Sequence, residues 1–469
     1  MWSLLMVIIL TLALPISQIK IQLKSVITVP DDYSTIQEAI NHAKAGDKIF
    51  VHEGIYYENL IVNKSLSIIG MDRNQTIISG SGKGIAIKII SNGVWIENLT
   101  VRDSGNTVYD SGVKLFNVKN CTIIRNTLAE NLHFGIIAEG CANVEIVGNI
   151  VANCEATGIL IKCSNNSLIE ANLLLENNGH GIAIQESFNC TVINNEVRGS
   201  KDDQIAILAS NHNFVIGNDV TYGKSHGIRL DDPSDNNMIV GNTIKKNEGC
   251  GIWLFNSRNN VFYQNNILEN DENVKILQAP GYLSNNAWDG GYILGGNFWG
   301  DFINTDLFSG VYQNLEGSDG ILDEAFIIDD YNVDNYPLAG PVNIVHFDYE
   351  MNYCCIISNL TILNLRFIKE LNVLSFEIPT DSHGFCRLTI PRKIIKEIWN
   401  NTYSIYINES LVGFEKIEDD KTVCIYFRLD TTNSVEIKIV DEKSFVLLFL
   451  LIIILTPFFR NFKVTKTCK

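Results

Sequence analysis

The sequence predicts an all-β protein whose main part is a parallel β-helix. Short alternating strands rich in Ile, Val and Leu begin every 23 or 24 residues, at positions 112, 135, 158, 181, 204, 227 and 251. A second short strand follows each of them, and an Asn recurs at the same spacing. A solenoid of helices needs longer units, roughly 30–45 residues, with a periodicity of about 3.6, and this chain has neither.

Stacking of equal positions explains how such short strands gain stability. If one unit makes one turn, each strand pairs in parallel with its copy about 4.8 Å away. The inward positions, for example Ile136, Ile159 and Ile182, then form a continuous apolar core. Each buried aliphatic side chain contributes about 1.5–3 kcal/mol.

The recurrent Asn residues suit one tight corner of this coil. Stacked in register, their amides satisfy one another and the backbone of the turn. We expect this structural ladder to contain Asn98, Asn126, Asn149, Asn172, Asn195, Asn218, Asn242 and Asn266.

A helix over residues 34–46 is expected to cover the open end of the stack, which would otherwise expose unpaired strand edges. Ser34 to Gln37 has the pattern of a capping box. Ile36, Ala39, Ile40 and Ala43 form one apolar stripe, and Gly46 suits a helix stop.

Residues 29–70 (VPDDYSTIQEAINHAKAGDKIFVHEGIYYENLIVNKSLSIIG), followed by the Asn repeats, resemble the right-handed parallel β-helix family of pectin-lyase-like proteins. Within it, the NosD-like surface proteins common in archaea are the most similar. Residues 286–338 resemble the closing segment of those proteins. The resemblance implies a right-handed β-helix over 26–280 and a closing segment over 281–341. It leaves the activity open, because this fold hosts lyases, hydrolases, adhesins and assembly factors.

The closing segment contains ten acidic residues and neither Lys nor Arg. Carboxylates beside Gly-rich turns suit Ca²⁺, with Asp301, Asp319 and Asp323 as candidate ligands, although the spacing is not that of an EF-hand. The alternative is a solvated acidic cap packed by Trp288, Phe298 and Trp299, and no cofactor is required.

Residues 342–440 lose the repeat and alternate between apolar and polar positions, which predicts a small β-sandwich. Within them, SHGFCRLTIP (382–391) resembles an accessory β-domain often found beside the membrane anchor of archaeal surface proteins. We therefore expect a spacer domain, in which Cys386 and Cys424 are candidates to pair.

The two ends indicate export and anchoring. Residues 1–25 contain an 11-residue apolar run that suits a signal peptide or an N-terminal anchor. Residues 444–460 suit a transmembrane helix, and the basic segment 461–469 places the C-terminus in the cytoplasm. The bulk of the chain is then extracytoplasmic, where nine N-x-S/T sequons permit glycosylation.

One column of polar residues is a candidate catalytic site. His180, Asp203 and His226 are spaced by 23 residues, and Asp202 adjoins them. KDDQIAI (201–207) and SHGIRL (225–230) resemble motifs of polygalacturonase-type glycoside hydrolases, in which carboxylates act as general acid and base. That resemblance implies an Asp202–Asp203 pair supported by His226. His180 occupies the position of the family's third Asp, and turns favour Asp and His for structural reasons as well.

A second candidate site lies on the outer face of the next strands. Arg229, Asp231, Trp253 and Phe255 combine aromatic rings with charged hydrogen-bonding groups, a combination that suits sugars. The alternative is that a loop or the C-terminal domain covers this face.

The composition excludes some partners. With 36 Lys and Arg against 53 Asp and Glu, the net charge is −17, which argues against nucleic acid. The five Met are not clustered and the eight His form no close set, so copper handling is poorly supported.

We therefore expect a membrane-anchored, outward-facing β-helix protein that binds or recognises surface polysaccharide. The alternatives are a polysaccharide hydrolase or lyase, and a NosD-like assembly factor for other envelope proteins.

Overall fold

The computed structural model describes residues 25–347, 353–379, 382–431 and 434–441. The predicted signal segment, apart from Ser25, lies outside these ranges, as do the predicted transmembrane helix 444–460 and the tail 461–469. Among the helices within these ranges, none combines the length and the apolar character needed to cross a membrane.

Residues 26–299 form a parallel β-solenoid of about eleven turns, which confirms the predicted β-helix. Each complete turn contributes one strand to each of three parallel sheets. Sheet 1 contains Val26–Val29, Lys48–Val51, Ser67–Gly70, Trp95–Glu97, Thr122–Ile124, Glu145–Val147, Leu168–Glu170, Thr191–Ile193, Phe214–Ile216, Met238–Val240 and Val261–Tyr263. Sheet 2 contains Gly54–Tyr57, Thr76–Ser79, Thr100–Arg102, Thr127–Ala129, Ile150–Ala152, Leu173–Leu175, Glu196–Arg198, Asp219–Thr221, Thr243–Lys245, Asn266–Leu268 and Phe298–Trp299. Sheet 3 contains Leu60–Val62, Ile87–Ile89, Ser111–Phe116, Phe134–Glu139, Ile159–Lys162, Ile182–Gln185, Ile205–Leu208, Ile228–Asp231, Cys250–Phe255 and Glu272–Leu277.

Three corners join these sheets in every turn, and we name them by the sheets that they connect: corner 1–2, corner 2–3 and corner 3–1. The strands of one sheet pair without register shifts along the repeat, so that Ile136 lies beside Ile159 and Ile159 beside Ile182. All three side chains are fully buried. The repeat therefore places chemically similar side chains in columns along the solenoid axis.

A ladder of buried amides fills corner 1–2. The Oδ1 atom of Asn149 accepts from the backbone N–H of Asn126 at 2.9 Å and from its Nδ2 at 3.1 Å. The same pattern repeats from turn to turn and ends on a carboxylate, where the backbone N–H of Asn297 donates to Asp334 at 2.8 Å. The members of this ladder are Asn126, Asn149, Asn172, Asn195, Asn218, Asn242, Asn265 and Asn297.

Two Asn residues that we expected in the ladder lie beside it. Asn98 has a left-handed backbone with φ of 60° and precedes the ladder position, which Leu99 occupies. Asn266 is the first residue of a sheet 2 strand, and its side chain bonds to Thr243 and Val342 instead. In both cases the prediction was wrong by one residue, because an adjacent residue of the same corner, Leu99 or Asn265, occupies the ladder position.

A short helix, α1 (Ile36–His42), covers the N-terminal end of the solenoid, and it buries Ile36, Ala39 and Ile40. Its N-cap is Thr35, whose side chain accepts from the N–H of Glu38. The capping pair is thus Thr35 and Glu38, one residue later than predicted, and the helix ends before Gly46.

The closing segment follows the last turn. It contains helix α2 (Gly291–Leu294) and two small hairpins, Phe308–Ser309 with Leu315–Glu316 and Phe326–Asp329 with Asn332–Asp334. Trp288 and Trp299 are buried and belong to the solenoid core, and Phe326 stacks on Trp299 at 4.2 Å between ring centroids. The segment therefore extends the apolar core beyond the last complete turn.

Two five-stranded antiparallel sheets at the C-terminal end share one apolar core. Their strands are joined by a short 3₁₀ helix (Lys369–Leu371) and by helix α3 (Arg392–Trp399). Sheet 4 contains Val342–His346, Tyr353–Ile357, Ser382–Pro391, Thr422–Thr431 and Glu415–Glu418. Sheet 5 contains Leu363–Ile368, Val373–Ile378, Val435–Asp441, Tyr403–Ile407 and Ser410–Val412.

Cys386 and Cys424, the two candidates for a disulfide, have free thiols. Both lie on adjacent strands, but Cys386 pairs in register with Phe427 and Cys424 with Thr389. The offset of three residues keeps the two thiols apart.

Arg387 fixes sheet 4 against the closing segment. Its guanidinium is fully buried and donates to the carbonyl oxygens of Asp319 at 2.7 Å and Tyr292 at 2.5 Å. A buried charge without such acceptors is strongly destabilising, so these bonds hold the two parts of the chain together.

We predict that Asn195→Ala lowers the free energy of unfolding by roughly 1–3 kcal/mol, because it leaves the buried N–H of Asn172 unpaired. Asn165→Ala is the matched control on the same coil, since the Asn165 side chain makes no hydrogen bond within the described chain. Chemical denaturation followed by circular dichroism measures both variants, and equal effects would contradict a stabilising ladder.

We predict that Asp334 makes stability depend on pH. Burial raises the pKa of this carboxyl to about 7. Because the unfolded value is lower, about 3.9, the native state binds the proton more tightly and stability falls as pH rises from about 4 to about 7. Denaturation midpoints measured across this range should show that the stability of Asp334→Asn increases relative to that of the native sequence as pH rises. A constant difference would contradict the assignment.

Candidate functional site

The candidate residues meet where corner 2–3 enters sheet 3. His180, Asp203 and His226 occupy equivalent corner positions, and their carbonyls accept from the N–H groups that open the preceding turn's strands. Arg229 and Trp253 are register partners on the outer face of sheet 3. The structure therefore brings the predicted catalytic column and the predicted binding face into one continuous patch.

Asp203 is the buried centre of this patch. Its carboxylate is fully inaccessible to solvent. Oδ1 accepts from the Ser225 hydroxyl at 2.9 Å and from the His226 N–H at 3.2 Å, while Oδ2 lies 3.5 Å from Arg229 Nη1. These donors stabilise the negative charge of Asp203. They also fix corner 2–3 relative to the sheet 3 strand that carries Arg229. Ser225 was missed from the sequence, although it directly precedes His226.

His180 and Asp202 lie beside Asp203. The Nδ1 atom of His180 is buried, without a hydrogen bond, and lies 3.5 Å from one oxygen of Asp202 and one of Asp203. These contacts become ion pairs only when the imidazole is protonated. The three ligand atoms lie within 4.8 Å of one another, so this set has the spacing of a cation site.

Arg229 and Asp231 form a pair two residues apart on one strand. Nε and Nη2 of Arg229 both donate to Asp231 Oδ2, the former at 3.1 Å. Burial opposes the charge on Arg229, but the bond to Asp231 and the charge of Asp203 outweigh it, and the pKa of the guanidinium is raised. Arg229 stays charged and keeps 30% of its side chain accessible.

Trp253 is the aromatic centre of the patch. The Arg229 guanidinium lies 4.8 Å from the centre of its ring, and the His226 ring stacks on it with 5.6 Å between centroids. Phe255 follows at 6.1 Å on the same strand. Trp253 and Phe255 are both half-buried, so part of each ring is exposed to solvent.

His226 is held as a neutral imidazole. The N–H of Cys250 donates to its Nδ1 at 3.0 Å, so this nitrogen carries no proton. Burial lowers the pKa of His226, and the charge of Arg229 adds to this effect, although Asp203 acts in the opposite direction. The ring therefore serves as a rigid, uncharged support for Trp253 at neutral pH.

The rest of the outer face of sheet 3 is less accessible than its sequence pattern suggested. Ile137, Leu160, Ala183 and Ala206 point away from the core but are buried in a separate apolar cluster, together with Phe134 and Leu208. This cluster separates two groups of partly exposed aromatic side chains, one at Trp253 and Phe255 beside Arg229 and one at Phe116 and Tyr109 beside Lys114.

The three predicted Ca²⁺ ligands do not form a common site. Asp319 accepts from the Tyr292 hydroxyl at 2.6 Å and from backbone N–H groups, and Asp323 accepts from the N–H groups of Leu307 and Phe308. Asp301 contacts Asn273. These carboxylates order the loops of the closing segment, so Ca²⁺ binding there stays a prediction without structural support.

Fold and patch together define a parallel β-helix protein with a polar and aromatic surface site. Residues 85–303 match the family model described as "Periplasmic copper-binding protein (NosD)". The match confirms the resemblance to NosD-like proteins seen in the sequence.

The family description names copper. The described residues of this chain do not fit Cu(I). Cu(I) prefers thiolate and thioether ligands. Within the described ranges, the cluster of candidate ligands is His180, Asp202 and Asp203, which has no sulfur. Cys141 and Cys190 are buried in the solenoid, so their thiols are not accessible from the surface.

Three further proteins are similar to this chain. A cell surface glycoprotein of Methanothermus fervidus is 36% identical over 99 residues, which are 20% of this chain and 16% of that protein. The chain thus matches about a sixth of this relative's length. The A-module of a mannuronan C-5 epimerase of Azotobacter vinelandii is 15% identical, with a TM-score of 0.41, over 53% of this chain and 77% of that one. DFA-IIIase of Arthrobacter chlorophenolicus A6 is 14% identical, with a TM-score of 0.44, over 57% and 95%.

We predict that His226 titrates below its ordinary pKa of about 6.5, because burial and Arg229 disfavour the imidazolium. Arg229→Gln should raise the midpoint, since it removes the neighbouring positive charge. NMR of histidine labelled with ¹³C at the ring, assigned with His226→Gln, measures both values. A midpoint above 6.5 in the native sequence would contradict the proposed environment.

Proposed function

We propose that this chain is an extracytoplasmic β-helix protein of the cell surface, which binds polysaccharide through Arg229, Asp231, Trp253 and Phe255. The matching family is described as periplasmic, and the relative from Methanothermus is described as a cell surface glycoprotein. Both descriptions support a location outside the cytoplasm. We further propose that the predicted helix 444–460 anchors the chain, with the C-terminal sheets as a spacer.

The observation that carries the binding proposal is the fixed geometry around Trp253. Aromatic side chains pack against the apolar faces of sugar rings, while nearby charged groups bond to hydroxyls. Arg229 and Asp231 are fixed beside Trp253 by their own pairing and by buried Asp203. A ligand would meet groups that are already ordered, so little conformational entropy is lost on binding.

The same geometry favours binding over glycoside hydrolysis. A general acid must come within hydrogen-bonding distance of the glycosidic oxygen. Asp203 is fully buried, and Ser225, His226 and Arg229 already contact its oxygens. Asp202 keeps 48% of its side chain accessible. The second carboxylate of the predicted pair, Asp203, is not accessible to a substrate.

We predict that Trp253→Ala weakens retention of the full-length protein on immobilised polysaccharide by about tenfold or more, since loss of a stacking ring and of its ordered neighbours removes about 1.4 kcal/mol or more. Trp95→Ala is the matched control, because Trp95 also lies on an outer sheet face but pairs its indole with Glu97.

Binding is measured by affinity electrophoresis in gels that contain acidic or neutral polysaccharides. Equal retention of both Trp variants on every polysaccharide, or no retention of the native sequence, would overturn the proposal. The same samples are assayed for new reducing ends and for unsaturated products. Turnover that Asp203→Asn abolishes would establish the enzymatic alternative instead.

A further inference from the structure

The nine N-x-S/T sequons are not spread evenly over the surface. Six lie in the solenoid, at Asn63, Asn74, Asn98, Asn120, Asn165 and Asn189. Four of these lie in corner 3–1 and two, Asn74 and Asn98, lie in corner 1–2. In the described solenoid, corner 2–3 and the outer face of sheet 3, which carry the candidate site, contain no sequon.

The sequon amides differ in whether they are free to react. The Nδ2 atom of Asn98 donates to the carbonyls of Gly70 at 2.8 Å and Met71 at 3.2 Å, so it is engaged. Asn120 is exposed, and its Oδ1 accepts from Asn143, while its Nδ2 makes no hydrogen bond within the described chain. Asn63 is also exposed, and its amide makes no hydrogen bond to a described residue. The other two sequons of corner 3–1 are less available, because Asn165 is half-buried and Asn189 donates its Nδ2 to Asn166 at 2.6 Å.

We propose that Asn63 and Asn120 carry N-linked oligosaccharides along corner 3–1. Nδ2 forms a bond to C1 of the first sugar, and the bond between C1 and the diphosphate of a lipid-linked oligosaccharide donor breaks. The lipid diphosphate leaves with the electron pair of that bond, and Nδ2 loses one proton to the transferase. The inference rests only on the extracytoplasmic location within the proposed function.

The placement has a consequence for the surface. Asn63 and Asn120 belong to turns two apart, so the two glycans emerge roughly 10 Å apart along one edge. They shield corner 3–1 and leave the Arg229–Trp253 patch uncovered. The strand before Asn120 lies five turns away from the strand that carries Arg229, so the protein's own sugars and the bound polysaccharide are separated along the solenoid axis.

Glycopeptide mass spectrometry of the full-length protein, purified from the cells that make it, tests the proposal. We expect peptides with Asn63 and Asn120 to carry hexose-type mass increments, and the Asn98 peptide to be unmodified. Asn120→Gln should remove one glycan mass from the intact protein, whereas the matched variant Asn98→Gln should change the mass only by the substitution.

Unmodified Asn63 and Asn120 would overturn the proposal, and so would equal occupancy of Asn98 and Asn120. Retention on polysaccharide is measured in parallel with Asn120→Gln and is expected to be unchanged. Loss of glycosylation with intact binding, or loss of binding with intact glycosylation, separates this inference from the proposed function.

Discussion

The register between successive turns is the constraint on which this molecule depends. A strand of three or four residues cannot bury a face alone, so each strand must pair with the equivalent strand of the next turn. Buried polar atoms enforce that register. A slip by one residue would move every Asn of corner 1–2 out of reach of its neighbour and would leave its N–H groups unpaired at about 1–3 kcal/mol each.

The closing segment and the C-terminal sheets complete this arrangement. Asp334 supplies the last acceptor of the ladder, and Trp288 and Trp299 cover the last apolar layer. Arg387 then bonds the sheets to the carbonyls of this segment. The acidic residues of the segment are therefore mainly acceptors for backbone N–H groups, which explains why so many carboxylates lie together without a shared cation site.

Much of the fold was predictable because its signal is repeated. The 23-residue period gave the solenoid, the sheet columns and the inward residues, and seven rungs of repetition outweighed any local ambiguity. Single events were harder to predict. The ladder was misplaced at Asn98 and Asn266, where the sequence offers two residues for one position and only backbone conformation selects between them. The helix cap moved from Ser34 to Thr35 for the same reason.

The candidate site was predictable in its membership but not in its roles. Equal spacing along the sequence predicted that Asp203, His226 and Arg229 lie together. No pattern in the sequence shows that Asp203 is buried, or that its carboxylate accepts hydrogen bonds from Ser225, His226 and Arg229. Burial is a property of three neighbouring turns, and it changes the interpretation of Asp203 from a reacting group to a positioning group. The supporting role of His226 likewise depends on the backbone N–H of Cys250. Every residue type except Pro offers such a group, so the sequence does not reveal this contact.

Hydrogen–deuterium exchange of the full-length protein, with and without polysaccharide extracted from the envelope of the producing cells, addresses the central claim most directly. Binding at the proposed patch protects the backbone amides of residues 225–231 and 250–255 and leaves corner 3–1 unchanged. Protection confined to any other part of the solenoid, or to the C-terminal sheets, would contradict the account.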